Sequence, residues 1–93
     1  MSEGPVSKVV QVTNRRGLHA RASAKFVTMA STLPAQVTVA KDGSAAVVGT
    51  SIMGLMMLGA AMGDTITISA SGDGAKTALD QLVALVENRF GED

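Results

Sequence analysis

The chain has 93 residues with eight basic and eight acidic side chains, enough for one compact domain and too few for two. The balanced charge excludes any overall attraction to nucleic acid or anionic lipid. Cysteine is absent and histidine occurs once, which excludes a disulfide framework, thiol chemistry and almost every metal site.

The N-terminal stretch Met1–Ser7 lacks the charged-then-apolar pattern of a secretion signal, so a cytoplasmic protein is expected. Val6–Thr13 is rich in β-branched residues and sets Val10 and Val12 on one face, as a half-buried strand does. Asn14-Arg-Arg-Gly17 ends it. Ala20–Ala30 is built from strong helix formers, with Ala22 or Ser23, Phe26, Val27 and Ala30 on one side, and Leu33-Pro34 stops that helix. Gln36–Ala40 alternates as a strand, Asp42-Gly43 signals a hairpin turn and Ser44–Val48 returns.

Thr50 or Ser51 can cap a short helix running to Leu58 and ended by Gly59. The apolar run Ile52–Met62 is interrupted by glycines and falls well short of the ~20 residues that span a bilayer, so no membrane insertion is expected. Asp64–Ala70 alternates as a strand. Asp73 is placed to cap a last helix whose Leu79, Leu82, Val83, Val86 and Phe90 form one apolar stripe.

The order βαββαβα predicts an α+β fold, a two-layer open-faced sandwich with a four-stranded, mainly antiparallel sheet covered on one face by three helices. A single domain over residues 1–93, with a core from about 6 to 90, is expected. With Phe26 and Phe90 the only aromatic residues, that core must be aliphatic, and stacking on nucleobases is nearly excluded.

The lone histidine is uninformative by itself; its surroundings are not. His19 stands between a predicted strand and a predicted helix in Arg15-Arg-Gly-Leu-His-Ala-Arg21, where the unpaired N–H groups of a helix start bind anions. Arg15, Arg16 and Arg21 add guanidinium forks suited to phosphate oxygens. The plain alternative is a solvated basic turn. The glycines at 49, 54, 59 and 63 do not form a nucleotide loop, since no Lys-Ser, Lys-Thr or Gly-x-Gly-x-x-Gly pattern accompanies them.

Gly17-Leu-His-Ala-Arg21 with the following Ala-Ser-Ala-Lys-Phe-Val27 resembles the active-site segment of the HPr phosphocarriers. Ser51-Ile-Met-Gly-Leu-Met-Met-Leu-Gly59 is similar to their regulatory serine segment, and the resemblance runs from about Val6 to Phe90. It implies that Enzyme I, charged by phosphoenolpyruvate, phosphorylates His19 at Nδ1 and that an Enzyme IIA accepts the group. Arg21 matches the arginine that contacts the phosphoryl group, and Arg16 is a further candidate contact. The resemblance also implies regulatory phosphorylation of Ser51 by an HPr kinase/phosphorylase. No cofactor, metal or nucleic acid is implied, and a monomer is expected.

Ile52, Met53, Leu55 and Met56 are more apolar than one buried helix face needs and are assigned to partner binding, with Met53 the leading contact. Ala22 departs from the proline that most members carry there; alanine keeps the helix and adds an N–H. The rival reading is a regulatory interaction protein of the same fold, whose output is partner binding controlled by Ser51 phosphorylation. Acceptor competence of His19-phosphate separates the two.

Overall fold

The computed structural model describes residues 3–92, the side chain of Glu3 excepted; Met1, Ser2 and Asp93 of the expected domain lie outside the described residues. Four strands, β1 (Glu3–Gln11), β2 (Gln36–Lys41), β3 (Val47–Val48) and β4 (Thr65–Gly72), and three helices, α1 (Ala20–Ser31), α2 (Ile52–Met57) and α3 (Ala75–Glu87), follow one another in the order βαββαβα. The sheet order is β1-β4-β2-β3 and every pairing is antiparallel.

The register explains the core. Val10 lies opposite Ile66, and Val39 opposite Ile68, so the period-two alternation of each strand sends these side chains to one face. There they are buried with Val12, Val37 and Ala70. α3 closes this face against β1 and β4, and α1 packs against α2 and α3. Phe26, Leu55, Leu82, Val86 and Phe90 complete a core with almost no exposed surface. The other face carries Gln36, Thr38 and Thr65 to solvent, which makes the sandwich open-faced.

Several boundaries differ from the sequence expectation, each for a local reason. β1 begins at Glu3 rather than Val6, and its register shifts between those two residues, where Pro5 removes a ladder donor on an edge strand. Its ladder ends at Gln11, although Val12 still donates to the Asp64 carbonyl at 2.8 Å. The return strand shrinks from Ser44–Val48 to Val47–Val48. The Ser44 hydroxyl closes the turn on the Lys41 carbonyl at 2.8 Å, and Ala45 and Ala46 remain exposed outside the ladder.

Asp73 does not cap α3. Gly74 holds the cap position at φ +69, a left-handed conformation natural to glycine, with no side-chain cap bond, and its carbonyl accepts the first helical bond from Ala78 at 2.9 Å. α3 also stops at Glu87 instead of continuing to Phe90. Arg89 and Phe90 both take left-handed φ values, +56° and +54°, in a 3-10 turn over Arg89–Gly91. This turn swings the Phe90 ring into the core, so Phe90 keeps its expected burial while leaving the helix.

Candidate functional site

The site begins with how the chain leaves β1. Asn14 is fully buried in the turn, its Nδ2 donating to the Gly17 carbonyl at 2.8 Å, while the Gly17 amide donates to the Asn14 carbonyl at 3.2 Å. Gly17 sits at φ +61, against the backbone of Ala60 and Ala61. Leu18 is buried and its amide donates to the Ala60 carbonyl at 2.9 Å. A segment tied at 14, 17 and 18 leaves little freedom at residue 19.

His19 is the N-cap of α1. Its carbonyl accepts from Ser23 at 2.9 Å, and its Nδ1 accepts from the Arg21 amide at 3.3 Å, so the ring takes up one of the helix's unpaired donors. The Ser23 hydroxyl donates back to the Leu18 carbonyl at 3.2 Å and pins the first turn from inside. Ala22 is buried within that turn, as its place on the small-residue face required, and its N–H precedes the first intrahelical donor, the Ser23 amide. Nδ1 therefore faces the positive end of the twelve-residue α1.

The other ring nitrogen is engaged by a residue that the sequence did not point to. Nε2 lies 2.7 Å from Oε2 of Glu92, and Oε1 of the same carboxylate accepts from Asn14 Nδ2 at 3.1 Å. Burial would push the Glu92 carboxyl up, but the hydrogen bonds from Asn14 and His19, with the charges of His19 and Lys25, hold it below the ordinary glutamate range. Glu92 arrives from 73 residues away. No local pattern could have announced it; the only trace was a carboxylate just beyond the apolar stripe of the last helix.

Arg15, Arg16 and Arg21 join His19 and Glu92 around an open pocket of about 300 Å³. None of the three guanidinium groups makes an ion pair among the described residues. Cations left uncompensated around a helix start suit a dianion of phosphate size. Among the described residues no cluster of His, Asp and Glu could hold a metal ion.

Ser51 caps α2, its Oγ accepting from the Gly54 amide at 3.0 Å. Of the side chains assigned to partner binding, Ile52, Met53 and Met56 are exposed, Met53 at 67%. Leu55 is the exception: it is wholly buried and belongs to the core, because position 55 is the one residue of this short helix that turns fully toward the packed layer. Met57, at 80% exposed, extends the surface that Leu55 was expected to share. Leu55→Ala is therefore expected to cost about 3 kcal/mol through lost burial and the cavity left behind. Met53→Ala is expected to stay within about 0.5 kcal/mol. Urea melts of the two variants check this, and equal midpoints would return Leu55 to the surface.

A family model described as the PTS HPr component phosphorylation site matches residues 6–88. A phosphocarrier protein HPr of Cupriavidus necator is 46% identical over 81 residues, covering 87% of this chain and 90% of that protein. A phosphocarrier protein NPr of Shewanella violacea is 41% identical and covers 94% of each chain. The crystal structure of HPr-C-His from Thermoanaerobacter tengcongensis superposes with a TM-score of 0.89 at 41% identity, over 95% of this chain and 98% of that one. Matched through its phosphorylation-site motif and along nearly its whole length, the chain belongs to the PTS HPr phosphocarrier family.

Proposed function

We propose that this protein is a cytoplasmic, monomeric phosphoryl carrier that receives its group from Enzyme I on Nδ1 of His19 and passes it to an Enzyme IIA. The observation that carries this reading is the pairing of Nδ1 with the start of α1 inside a pocket bearing three arginines that make no ion pair among the described residues. With Nε2 facing Glu92, Nδ1 is the nitrogen left to attack.

In the transfer, the Nδ1 lone pair forms the bond to phosphorus while the donor's bond to phosphorus breaks and its electron pair returns to the donor. The three equatorial oxygens carry most of the charge, and positioned cations lower the barrier. Arg21, the second residue of the helix, is assigned that role, with Arg16 and Arg15 as neighbouring contacts. The Arg21 amide, now bonded to Nδ1, is placed to donate to a phosphoryl oxygen once the lone pair is used. The protein needs no cofactor in this reading; it is a substrate of its two partners. Incubation with Enzyme I and phosphoenolpyruvate tests it. One acid-labile, base-stable phosphoryl group per chain, transferable to an Enzyme IIA, is the expected result, and a chain that stays unlabelled overturns it.

Ser51 is proposed as a second, regulatory site for an HPr kinase/phosphorylase. A phosphate there replaces one helix-capping acceptor by another, so the fold tolerates it. Its dianion lies beside exposed Ile52, Met53 and Met56, where it opposes docking by raising the desolvation cost. Ser51→Asp is expected to keep its cap and accept phosphoryl groups from Enzyme I several-fold more slowly than wild type. Ser51→Ala is expected to lose about 1 kcal/mol of stability and transfer normally. Equal acceptance rates in the two variants remove the regulatory role.

A further inference from the structure

Two features near His19 are not used by the reading above. One is the strain in the segment after α3, where Arg89, Phe90 and Gly91 take successive left-handed conformations, φ +56°, +54° and +75°. Non-glycine residues hold that conformation only when their surroundings impose it. Here the buried Phe90 ring does so, together with Lys25, whose Nζ donates to the Phe90 carbonyl at 2.7 Å. The result is a short strap, Asn88–Glu92, anchored on the core and on α1, with Glu92 at the end that reaches the ring.

The other feature is Asn14. Its Nδ2 serves both the Gly17 carbonyl and Glu92, yet its buried Oδ1 has no partner among the described residues. The reversed amide would set oxygen against two acceptors, so the network itself selects the orientation. A buried acceptor is left unpaired so that Nδ2 can grip the carboxylate.

We propose that Glu92, gripped by Asn14 and delivered by the strained strap, is the positioning residue of His19. It keeps the proton on Nε2 throughout the transfer cycle. The inference rests on the phosphocarrier reading and deepens it: the contact that leaves Nδ1 free becomes a positioning role for Glu92.

The chemistry balances without a proton leaving. The neutral ring bears its hydrogen on Nε2 and its lone pair on Nδ1. When Nδ1 bonds phosphorus the ring becomes a phosphorylated imidazolium, and the Glu92 carboxylate faces the new positive charge. When phosphorus departs, the bonding pair returns to Nδ1 and a neutral imidazole leaves rather than an imidazolate. The groups facing the ring oppose one another. Arg15, Arg16 and Arg21 around the pocket, and Lys25 beside the strap, disfavour positive charge on the ring; among the described residues lining the pocket Glu92 alone favours it. Its removal should therefore be felt in the phosphorylated state above all.

Phosphoramidate, a chemical donor that does not depend on Enzyme I, loads the histidine for the test. The isomer is read by 31P and 15N NMR, and the rate of phosphate loss is followed across pH. Wild type is expected to carry phosphorus on Nδ1 only. Glu92→Ala exposes Nε2 and is expected to give the Nε2 isomer as a substantial product. Asn14→Ala, which frees the carboxylate, is expected to move the product ratio in the same direction. Glu92→Gln retains an acceptor for the Nε2 hydrogen and is expected to keep the Nδ1 isomer. Having lost the charge, it should show the alkaline fall in phosphate loss about one pH unit lower than wild type. A Glu92→Ala protein phosphorylated on Nδ1 alone, or a Gln variant whose pH profile superposes on wild type, overturns the assignment. Failure of Enzyme I to load wild type would instead count against the carrier reading, and would leave the phosphoramidate result standing.

Discussion

His19→Ala is expected to take up no phosphoryl group from Enzyme I and phosphoenolpyruvate, against one per chain in wild type. The loss is complete because, among the described residues, no other side chain in the pocket has a nucleophilic nitrogen: the remaining lining is Arg15, Arg16, Arg21 and Glu92. The variant should nevertheless fold. Leu18 and Ala22, on either side, are buried, and the backbone bonds from Leu18 to Ala60 and from Ser23 to residue 19 do not involve the imidazole. What disappears is the cap acceptor for the Arg21 amide and the partner of Glu92, a loss of about 1 kcal/mol. In a domain of this size that lowers the melting temperature by roughly 5 °C. Labelling with phosphoenolpyruvate and a thermal melt on the same sample separate chemistry from folding. Label retained in the variant would move the carrier site elsewhere.

Gly17→Ala is expected to be the most damaging conservative change in the loop that positions the site. A Cβ at residue 17 would stand 2.3 Å from the Ala60 carbonyl oxygen and 2.9 Å from the Ala61 Cα, both backbone atoms that cannot rotate aside. The opposing loop is itself held, because Asp64 accepts from the Ala61 amide at 2.9 Å and is paired with Lys41 at 3.2 Å. That bond and the lysine keep the Asp64 carboxyl below its ordinary value. The loops must part, which costs the Leu18-to-Ala60 hydrogen bond and part of the Leu18 burial, on top of the left-handed φ of +61°. Together these give a destabilisation of roughly 3 kcal/mol, or about 15 °C in melting temperature. Phosphoryl acceptance should fall with it, since His19 follows two residues on. Gly4→Ala, at a position with open space around the added carbon, is the control and should melt as wild type. A loss under about 1 kcal/mol in Gly17→Ala would show that the approach of the two loops is not what orients the histidine.

How much of this was legible in the sequence depends on the range of each interaction. Strand alternation, the helix-forming run after His19, the Asp42-Gly43 turn and the serine cap at 51 are settled by neighbours within a few residues, and periodicity displays them. The concentration of three arginines around one histidine was also local, which is why the candidate nucleophile and its candidate counter-charges could be named from the chain alone. Element ends were less legible: whether Asp73 or Gly74 caps α3 depends on a backbone conformation, and both residue types are good caps. Leu55 and Met53 are two residues apart and equally apolar, and only the packing of α2 decided that one is core and the other surface.

The carboxylate on the histidine was beyond sequence reasoning altogether. Glu92 reaches His19 because the aliphatic stripe of α3 buries against β1 and β4 and Phe90 then turns back into the core, which brings residue 92 to the start of α1. The sequence by itself determined the elements, the sheet class and the one histidine proposed as nucleophile, all products of short-range periodicity and composition. Only the tertiary structure decided which nitrogen of that histidine faces a carboxylate and which faces the helix start. That choice rests on a contact across 73 residues, made by core packing and not by any pattern along the chain.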